Sequence, residues 1–171
     1  MDFKSIIRTI PDFPIPGIQF RDITTMLKNP KAFNGAINEM CTILKDTEFD
    51  VVIGPESRGF IFGVPLALNM NKGFVPARKA GKLPYKTIKK TYELEYGKNT
   101  IEIHKDAILP NQKIIIADDL LATGGTCKAI CELAQEVGAN VVATIFFIEL
   151  EELKGRESLE KFCPVFSLVK Y

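Results

Sequence analysis

The sequence predicts an α/β fold, a parallel central sheet flanked by helices and carrying a β-hairpin. Two observations lead there. Short, wholly apolar runs such as Val51-Val52-Ile53 and Ile114-Ile115-Ile116 read as strands buried on both faces. Between them lie segments whose apolar residues recur three and four apart, which is the helical period. Strands and helices in alternation build a parallel sheet covered on both sides. A length of 171 residues fits one domain, and a chain of that size hides roughly 70% of the surface its unfolded form exposes.

Taken in order, the apolar segment of residues 3–10 predicts a short helix ending at Pro11. Residues 11–17 hold three prolines and a glycine, too many for helix or central strand. Asn29-Pro30 reads as a helix cap followed by proline in the first turn, with Phe33, Ile37, Met40, Cys41 and Leu44 forming one buried face. Residues 50–54 predict a strand, residues 58–70 a helix closed by Gly73, and residues 74–77 a second strand that Pro76 places at an edge. Tyr92, Leu94 and Tyr96, then Ile101 and Ile103, alternate with polar residues about Gly97-Lys98-Asn99, a hairpin signal. Strands are expected at residues 113–117, 141–148 and 165–169, with a helix over 126–137 stopped by Gly138. Ligands of such sheets bind at the carboxyl ends of strands, which directs attention to the residues after Gly54, Ala77 and Ala117.

Composition excludes several classes. The hydrophobic fraction is 46% and the charged fraction 25%, near the averages for globular proteins. No apolar run approaches the ~20 residues of a membrane-spanning helix, so no membrane partner is expected. The first residues lack the pattern of a secretory signal, and the expected location is cytoplasmic. A net charge of +1 argues against a general nucleic-acid partner. Cys41, Cys127, Cys131 and Cys163 form no CxxC pair. Cys127 and Cys131, four apart on a predicted helix, suit a metal or a disulfide, but the plainer reading is reduced thiols packed in a core. His104 ends an alternating strand and reads as a surface or rim residue.

The charge is unevenly spread. Residues 57–92 contain no acid and eight cations, Arg58, Lys72, Arg78, Lys79, Lys82, Lys86, Lys89 and Lys90, which leaves the rest of the chain at −7. A basic block in an otherwise acidic chain points to a local anionic ligand; a solvated charged face is the alternative.

Residues 114–126 carry the strongest chemical signal. A buried strand delivers Asp118 and Asp119, and Leu120, Leu121, Ala122, Thr123, Gly124, Gly125 and Thr126 then lead into a helix. Glycines let backbone amides curl around an anion, threonine hydroxyls add donors, and a helix N-terminus favours negative charge. The spacing is neither that of a Walker A loop nor GxGxxG. Carboxylates beside a phosphate would repel it, so they more plausibly accept hydrogen bonds from sugar hydroxyls.

This stretch resembles the phosphoribosyl pyrophosphate (PRPP) motif of the type I phosphoribosyltransferases. The resemblance implies that Ala122, Thr123, Gly124, Gly125 and Thr126 hold the 5′-phosphate. Asp118 and Asp119 would contact the ribose hydroxyls or stabilise positive charge on the sugar. The segments Phe13-Pro14-Ile15-Pro16-Gly17-Ile18-Gln19-Phe20-Arg21-Asp22-Ile23, Glu56-Ser57-Arg58-Gly59-Phe60, Arg78-Lys79-Ala80-Gly81-Lys82-Leu83-Pro84 and Tyr92-Glu93-Leu94-Glu95-Tyr96-Gly97 are similar to the adenine-specific members. The family reading implies the type I fold as a homodimer, with a core of about residues 31–171 and a small N-terminal hood of about residues 1–30.

The same resemblance implies transfer of the 5-phosphoribosyl group of PRPP to N9 of adenine, giving AMP and pyrophosphate in purine salvage. Mg²⁺ would be held mainly by PRPP, with no protein metal ligand identified. Enzymes for 6-oxopurines typically carry an acid where this chain has Ala122, so a proton-handling group must come from elsewhere, and the resemblance puts Glu95 in that role; without the family, Glu95 reads as a solvated hairpin residue. Gln19, Phe20, Arg21 and Leu120 would bind adenine, with Phe20 and Leu120 against the ring; a core aromatic is the other reading of Phe20. Ser57, Arg58, Arg78, Lys79 and Lys82 would bind pyrophosphate. Residues 82–91 are expected to form a loop closing over the site. Ala80 and Ala117 depart from the residues common in relatives; Ala80 is assigned no contact, and the change at Ala117 is expected to matter only to packing. Rival readings are a transferase for another base, a non-catalytic regulator on the same fold, and a plain binding module.

Overall fold

Isolated helices shorter than about a dozen residues are marginal in water, and the first apolar segment does not form one. The computed structural model describes residues 1–94 and 97–171, which fall into two units, Met1–Glu39 and Met40–Tyr171. In the first unit the amides of Ile6 and Ile7 close a single turn on the Phe3 carbonyl. The chain then extends as β1 (Arg8–Ile10), antiparallel to β2 (Phe20–Asp22), with Thr9 opposite Arg21. The helix expected over residues 3–10 is therefore corrected to a turn and a strand, as β-branched Thr9 and Ile10 favour. The proline-rich stretch between β1 and β2 is neither helix nor strand, as predicted.

A four-residue helix, α1 (Thr24–Leu27), follows Asp22, whose carboxylate accepts from the Thr24 amide and hydroxyl, both at 2.9 Å. Helix α2 (Pro30–Leu44) starts as the sequence predicts: Asn29 Oδ1 accepts from the amides of Lys31 and Ala32 at 3.1 and 3.2 Å. Ala36, Ile37, Met40 and Leu44 are buried along it, with Phe33 and Cys41 half-buried at the margin of that stripe.

In the second unit β3 (Val51–Pro55), α3 (Arg58–Asn69), β4 (Gly73–Lys79), β5 (Thr87–Leu94), β6 (Gly97–His104), β7 (Lys113–Leu121), α4 (Gly125–Val137), β8 (Asn140–Glu149), α5 (Gly155–Leu159) and β9 (Val165–Lys170) follow in order. Seven strands form one sheet in the order β5-β6-β4-β3-β7-β8-β9. β4, β3, β7, β8 and β9 run parallel; β5 and β6 pair antiparallel. β6 meets β4 only at Arg78 and Lys79. Pro76 thus sits where β4 has a partner on one side only, as its missing amide requires.

Alternate residues of a strand face opposite sides, and the sheet uses both. Ile114, Ile116 and Phe146 pack with Ile130, Leu133 and Ala134 of α4. On the other face Phe147 stacks on Phe62 of α3 at 5.2 Å. Each large side chain so buried contributes roughly 1.5–3 kcal/mol. Cys127, Cys131 and Cys163 are buried and Cys41 half-buried, all as free thiols. Burial pushes the Cys127 thiol well up, and Cys163 up to about 12. Thiols held protonated in apolar surroundings are inert.

Three further boundaries differ from expectation. α3 is closed by Asn71 at φ 53°, not Gly73, which begins β4; asparagine tolerates the left-handed region. The hairpin does not turn at Gly97-Lys98-Asn99, because Gly97 already opposes Leu94 within the ladder. The strand begins at Thr87, so the loop expected over residues 82–91 is shorter and ends at residue 86.

Candidate active site

A strand of apolar residues could end at Ala117, but β7 runs on to Leu121 and holds both acids within the ladder, Asp118 opposite Phe146 of β8. This lengthens the predicted strand and moves the tight turn to residues 122–124. Gly124 makes that turn at φ 80°, and α4 starts at Gly125. The amides of a first helical turn have no partner within the helix, so they stay available to an anion. Asp118, Leu120, Ala122, Thr123, Gly125 and Thr126 line one cleft of about 150 Å³. The structure therefore brings together the residues predicted for the 5′-phosphate and one of the two acids.

The acids have different surroundings. The Asp119 amide donates to Asp118 Oδ1 at 2.8 Å, and Asp118 lines the cleft. Asp119 is buried and accepts Arg58 Nε at 2.9 Å. Burial pushes the Asp118 carboxyl well above its ordinary range, and the Asp119 charge pushes the same way. Burial also raises Asp119, against the pull of the Arg58 guanidinium. Gly59 makes the close approach of α3 possible: a Cβ there would stand 2.8 Å from Asp118 Oδ1.

The basic block is organised by acids outside it. Arg78 Nε donates to Glu56 Oε2 at 2.8 Å and its NH1 to the Lys82 carbonyl at 3.2 Å. Glu102, buried on β6, accepts the Gly81 amide at 3.1 Å and fixes the turn between Lys79 and Lys82. Ser57, Lys79 and Lys82 are exposed, and Arg58 and Arg78 half-buried. A rim that keeps mobile lysines outside and arginines anchored suits a polyanionic group.

Sequence reasoning missed the support behind the loop. Gly155 of α5 lies against the Ala122 carbonyl and the Gly124 amide, and a Cβ on Gly124 would stand 2.7 Å from Ser158 Oγ. Arg156 holds α5 in place: its Nε and NH2 donate to Glu149 Oε1 and Oε2 at 2.8 and 2.5 Å, and its NH1 to the Val165 carbonyl at 2.6 Å. Ser167 Oγ donates to the same carboxylate. Burial would raise the Glu149 carboxyl, but the bonds from Arg156 and Ser167 outweigh it and hold the carboxyl below its ordinary range. Tyr92 was also unassigned, and its hydroxyl lies 2.9 Å from Thr126 Oγ1.

In the first unit Gln19 is exposed and Phe20 and Arg21 are half-buried. Phe20 meets Phe13 edge to face at 5.2 Å, and Arg21 NH1 donates to Thr9 Oγ1 at 2.6 Å. Leu120, on β7, is half-buried. Glu95, predicted to handle the proton at the base, lies outside the described residues.

The model of the family described as "Phosphoribosyl transferase domain" matches residues 23–168. The adenine phosphoribosyltransferase of Halothermothrix orenii is 55% identical over 170 residues, covering 99% of each chain. The crystal structure of adenine phosphoribosyltransferase from Thermoanaerobacter pseudethanolicus superposes with a TM-score of 0.95 at 50% identity, covering 98% of this chain and 97% of that one. That of the Saccharomyces cerevisiae enzyme, complexed with an imino-altritol bisphosphate and adenine, gives 0.89 at 42% identity, covering 96% and 94%.

Proposed function

The chain belongs to the phosphoribosyltransferase family, and from that premise we infer that it transfers the 5-phosphoribosyl group of PRPP to N9 of adenine, releasing pyrophosphate and giving AMP for purine salvage. The observation that carries this reading is the single cleft in which Asp118 adjoins the amide- and hydroxyl-rich turn at the start of α4. A ribose 5-phosphate has a matching order of groups, hydroxyls for the carboxylates and a dianion for the helix N-terminus. The adenine-specific relatives supply the choice of base.

Ala122, Thr123, Gly124, Gly125 and Thr126 bind the 5′-phosphate. Ser57, Arg58, Arg78, Lys79 and Lys82 bind pyrophosphate and stabilise its charge as the C1–O bond breaks. Positive charge then develops on the ribose ring, next to Asp118 and Asp119. The raised position of both carboxyls is what a cation would reverse, so their interaction with the sugar strengthens as the bond lengthens. Adenine N9 attacks C1, while Glu95 hydrogen-bonds at N7 and favours the reactive protonation state. Gln19, Phe20, Arg21 and Leu120 bind the base, and Ala122 leaves no acid at the position that serves 6-oxopurines.

The donor set fits a Mg²⁺ carried on PRPP: Asp118 lines the cleft, and Asp119 is already engaged by Arg58. Bound there, the ion neutralises part of the pyrophosphate charge. The family reading makes the protein a homodimer in the cytoplasm. Among the described residues no helix is long and apolar enough to cross a membrane.

The test is to incubate the protein with PRPP, Mg²⁺ and equal amounts of adenine, hypoxanthine, guanine and xanthine, then identify the nucleotide. AMP is expected. IMP, GMP or XMP as the main product would overturn the base assignment, and no nucleotide at all would overturn catalysis.

A further inference from the structure

Tyr92 stands on β5 with its hydroxyl 2.9 Å from Thr126 Oγ1, in the first turn of α4. Two residues earlier on the same strand face, Lys90 Nζ reaches both Glu136 Oε1 at 2.7 Å and Glu132 Oε2 at 3.3 Å, on that same helix. Side chains two apart on one strand therefore fasten β5 to α4 at two levels. Open space of about 470 Å³, lined by Thr91, Tyr92, Thr123, Gly125, Lys128 and Glu132 among others, adjoins these fastenings. Ile88 and Tyr92 of β5 also pack against the core that contains Ile130 and Leu133 of α4, so the polar links add direction to an apolar contact.

A hydroxyl has one proton to donate and lone pairs to accept with. Without a ligand, either member of the Tyr92–Thr126 pair can be the donor. A phosphate dianion in the cleft can only accept. Thr126, which lines that cleft, must then give its proton to the phosphate, and its lone pairs are left for Tyr92. Occupancy thereby fixes the direction of the pair, and hydrogen bonds in such a chain strengthen one another.

We propose that Tyr92 is a positioning residue: its hydroxyl donates to Thr126, Thr126 donates to the 5′-phosphate, and the relay ties the β5–β6 hairpin to the occupied loop. This rests on the assignment of that loop to the 5′-phosphate given above. Glu95, assigned to the proton, follows Tyr92 by three residues in the sequence, so the relay holds the strand that precedes it, β5, through the group that binds the substrate's far end. No local pattern announces this pair, because Tyr92 and Thr126 are 34 residues apart.

The experiment is calorimetric titration of the full chain with ribose 5-phosphate, together with steady-state kinetics, for wild type, Tyr92→Phe, Thr126→Val and the double variant. Tyr92→Phe is expected to weaken ribose 5-phosphate about 5–10-fold, the scale of one hydrogen bond. The KM for PRPP should rise to match, with the KM for adenine unchanged. In the Thr126→Val background the same substitution should change the affinity less than twofold, since the relay is already cut. Equal affinity of wild type and Tyr92→Phe would overturn the relay while leaving the phosphate loop standing. So would an equal loss in both backgrounds, which marks a merely structural role. Failure of the wild type to bind ribose 5-phosphate would instead overturn the loop assignment on which the relay depends.

Discussion

Arg58 Nε lies 2.9 Å from Asp119 Oδ2, the carboxylate side chain 7% exposed and the guanidinium side chain 39%. The pair joins the first residue of α3 to the strand that carries the acids, and it is what keeps a buried carboxyl from rising further. Arg58→Ala should lower kcat/KM for PRPP about 100-fold, the scale of losing one preorganised electrostatic partner. With its counter-charge gone, Asp119 should ionise at higher pH, so the acid limb of the pH–rate profile should move up. A profile that keeps its shape and position would separate Asp119 from the chemistry.

Asp118 gives a pH dependence of the opposite kind to most carboxylates. Its folded-state pKa is raised by burial, so between the ordinary value and the raised one the folded protein holds a proton the unfolded chain has released. Stability then falls as pH rises through that window, and the cost is fully present above it. Asp118→Asn removes the charge. Scanning calorimetry should find its Tm above wild type at alkaline pH, with the gap closing as the pH is lowered toward about 4, and turnover reduced about 100-fold or more. A variant less stable than wild type at alkaline pH would contradict this.

Gly155 touches no reacting group, yet a Cβ there would overlap the Ala122 carbonyl and stand 3.0 Å from the Gly124 amide. Gly155→Ala should cost about 1–3 kcal/mol by overpacking and displace the loop it supports. Chemical denaturation measures the first effect; the KM for PRPP, expected to rise more than the KM for adenine, measures the second.

Arg156→Ala would leave Glu149, 3% exposed, with only the more distant Lys170 ammonium at 4.0 Å as a cation. Removing one member of such a pair costs about 3 kcal/mol. The Glu149 carboxyl is held below its ordinary range, so its contribution is present above that range and is lost as pH falls through the folded value. The stability difference between wild type and Arg156→Ala should therefore be full at neutral pH and shrink in acid. A difference independent of pH would assign the loss to packing of the Arg156 stem.

The sheet and the cleft-lining turn before α4 were legible because their signals are local. An apolar run, two acids, and glycine and threonine before a helix occupy 13 consecutive residues, 114–126. What pairs across distance was not legible. Arg58 meets Asp119, and Glu149 meets Ser167, only because the order of strands brings them together. The short α5 carries no periodic signal, and its role depends on a glycine contact that no pattern announces. Lys90, counted in the basic block, has two acids of α4 as partners. Gly97 misled the turn assignment because glycine marks a ladder's start as readily as its bend.

The hairpin formed by β5 and β6 joins the rest of the sheet over Arg78 and Lys79 alone. Mechanically that ladder is a clamp, backed by Ile101 and Ile103 in the core, with a polar latch beside it: half-exposed Lys90 level with Lys79, and the Tyr92 hydroxyl two residues farther along the strand. The ionic half of that latch weakens with salt, whereas the clamp, made of backbone ladder, does not. Amide exchange in residues 87–94 should therefore quicken with ionic strength while β3 and β7 keep their protection. The protein would then possess one segment whose opening is tuned by the medium, on a sheet that is not.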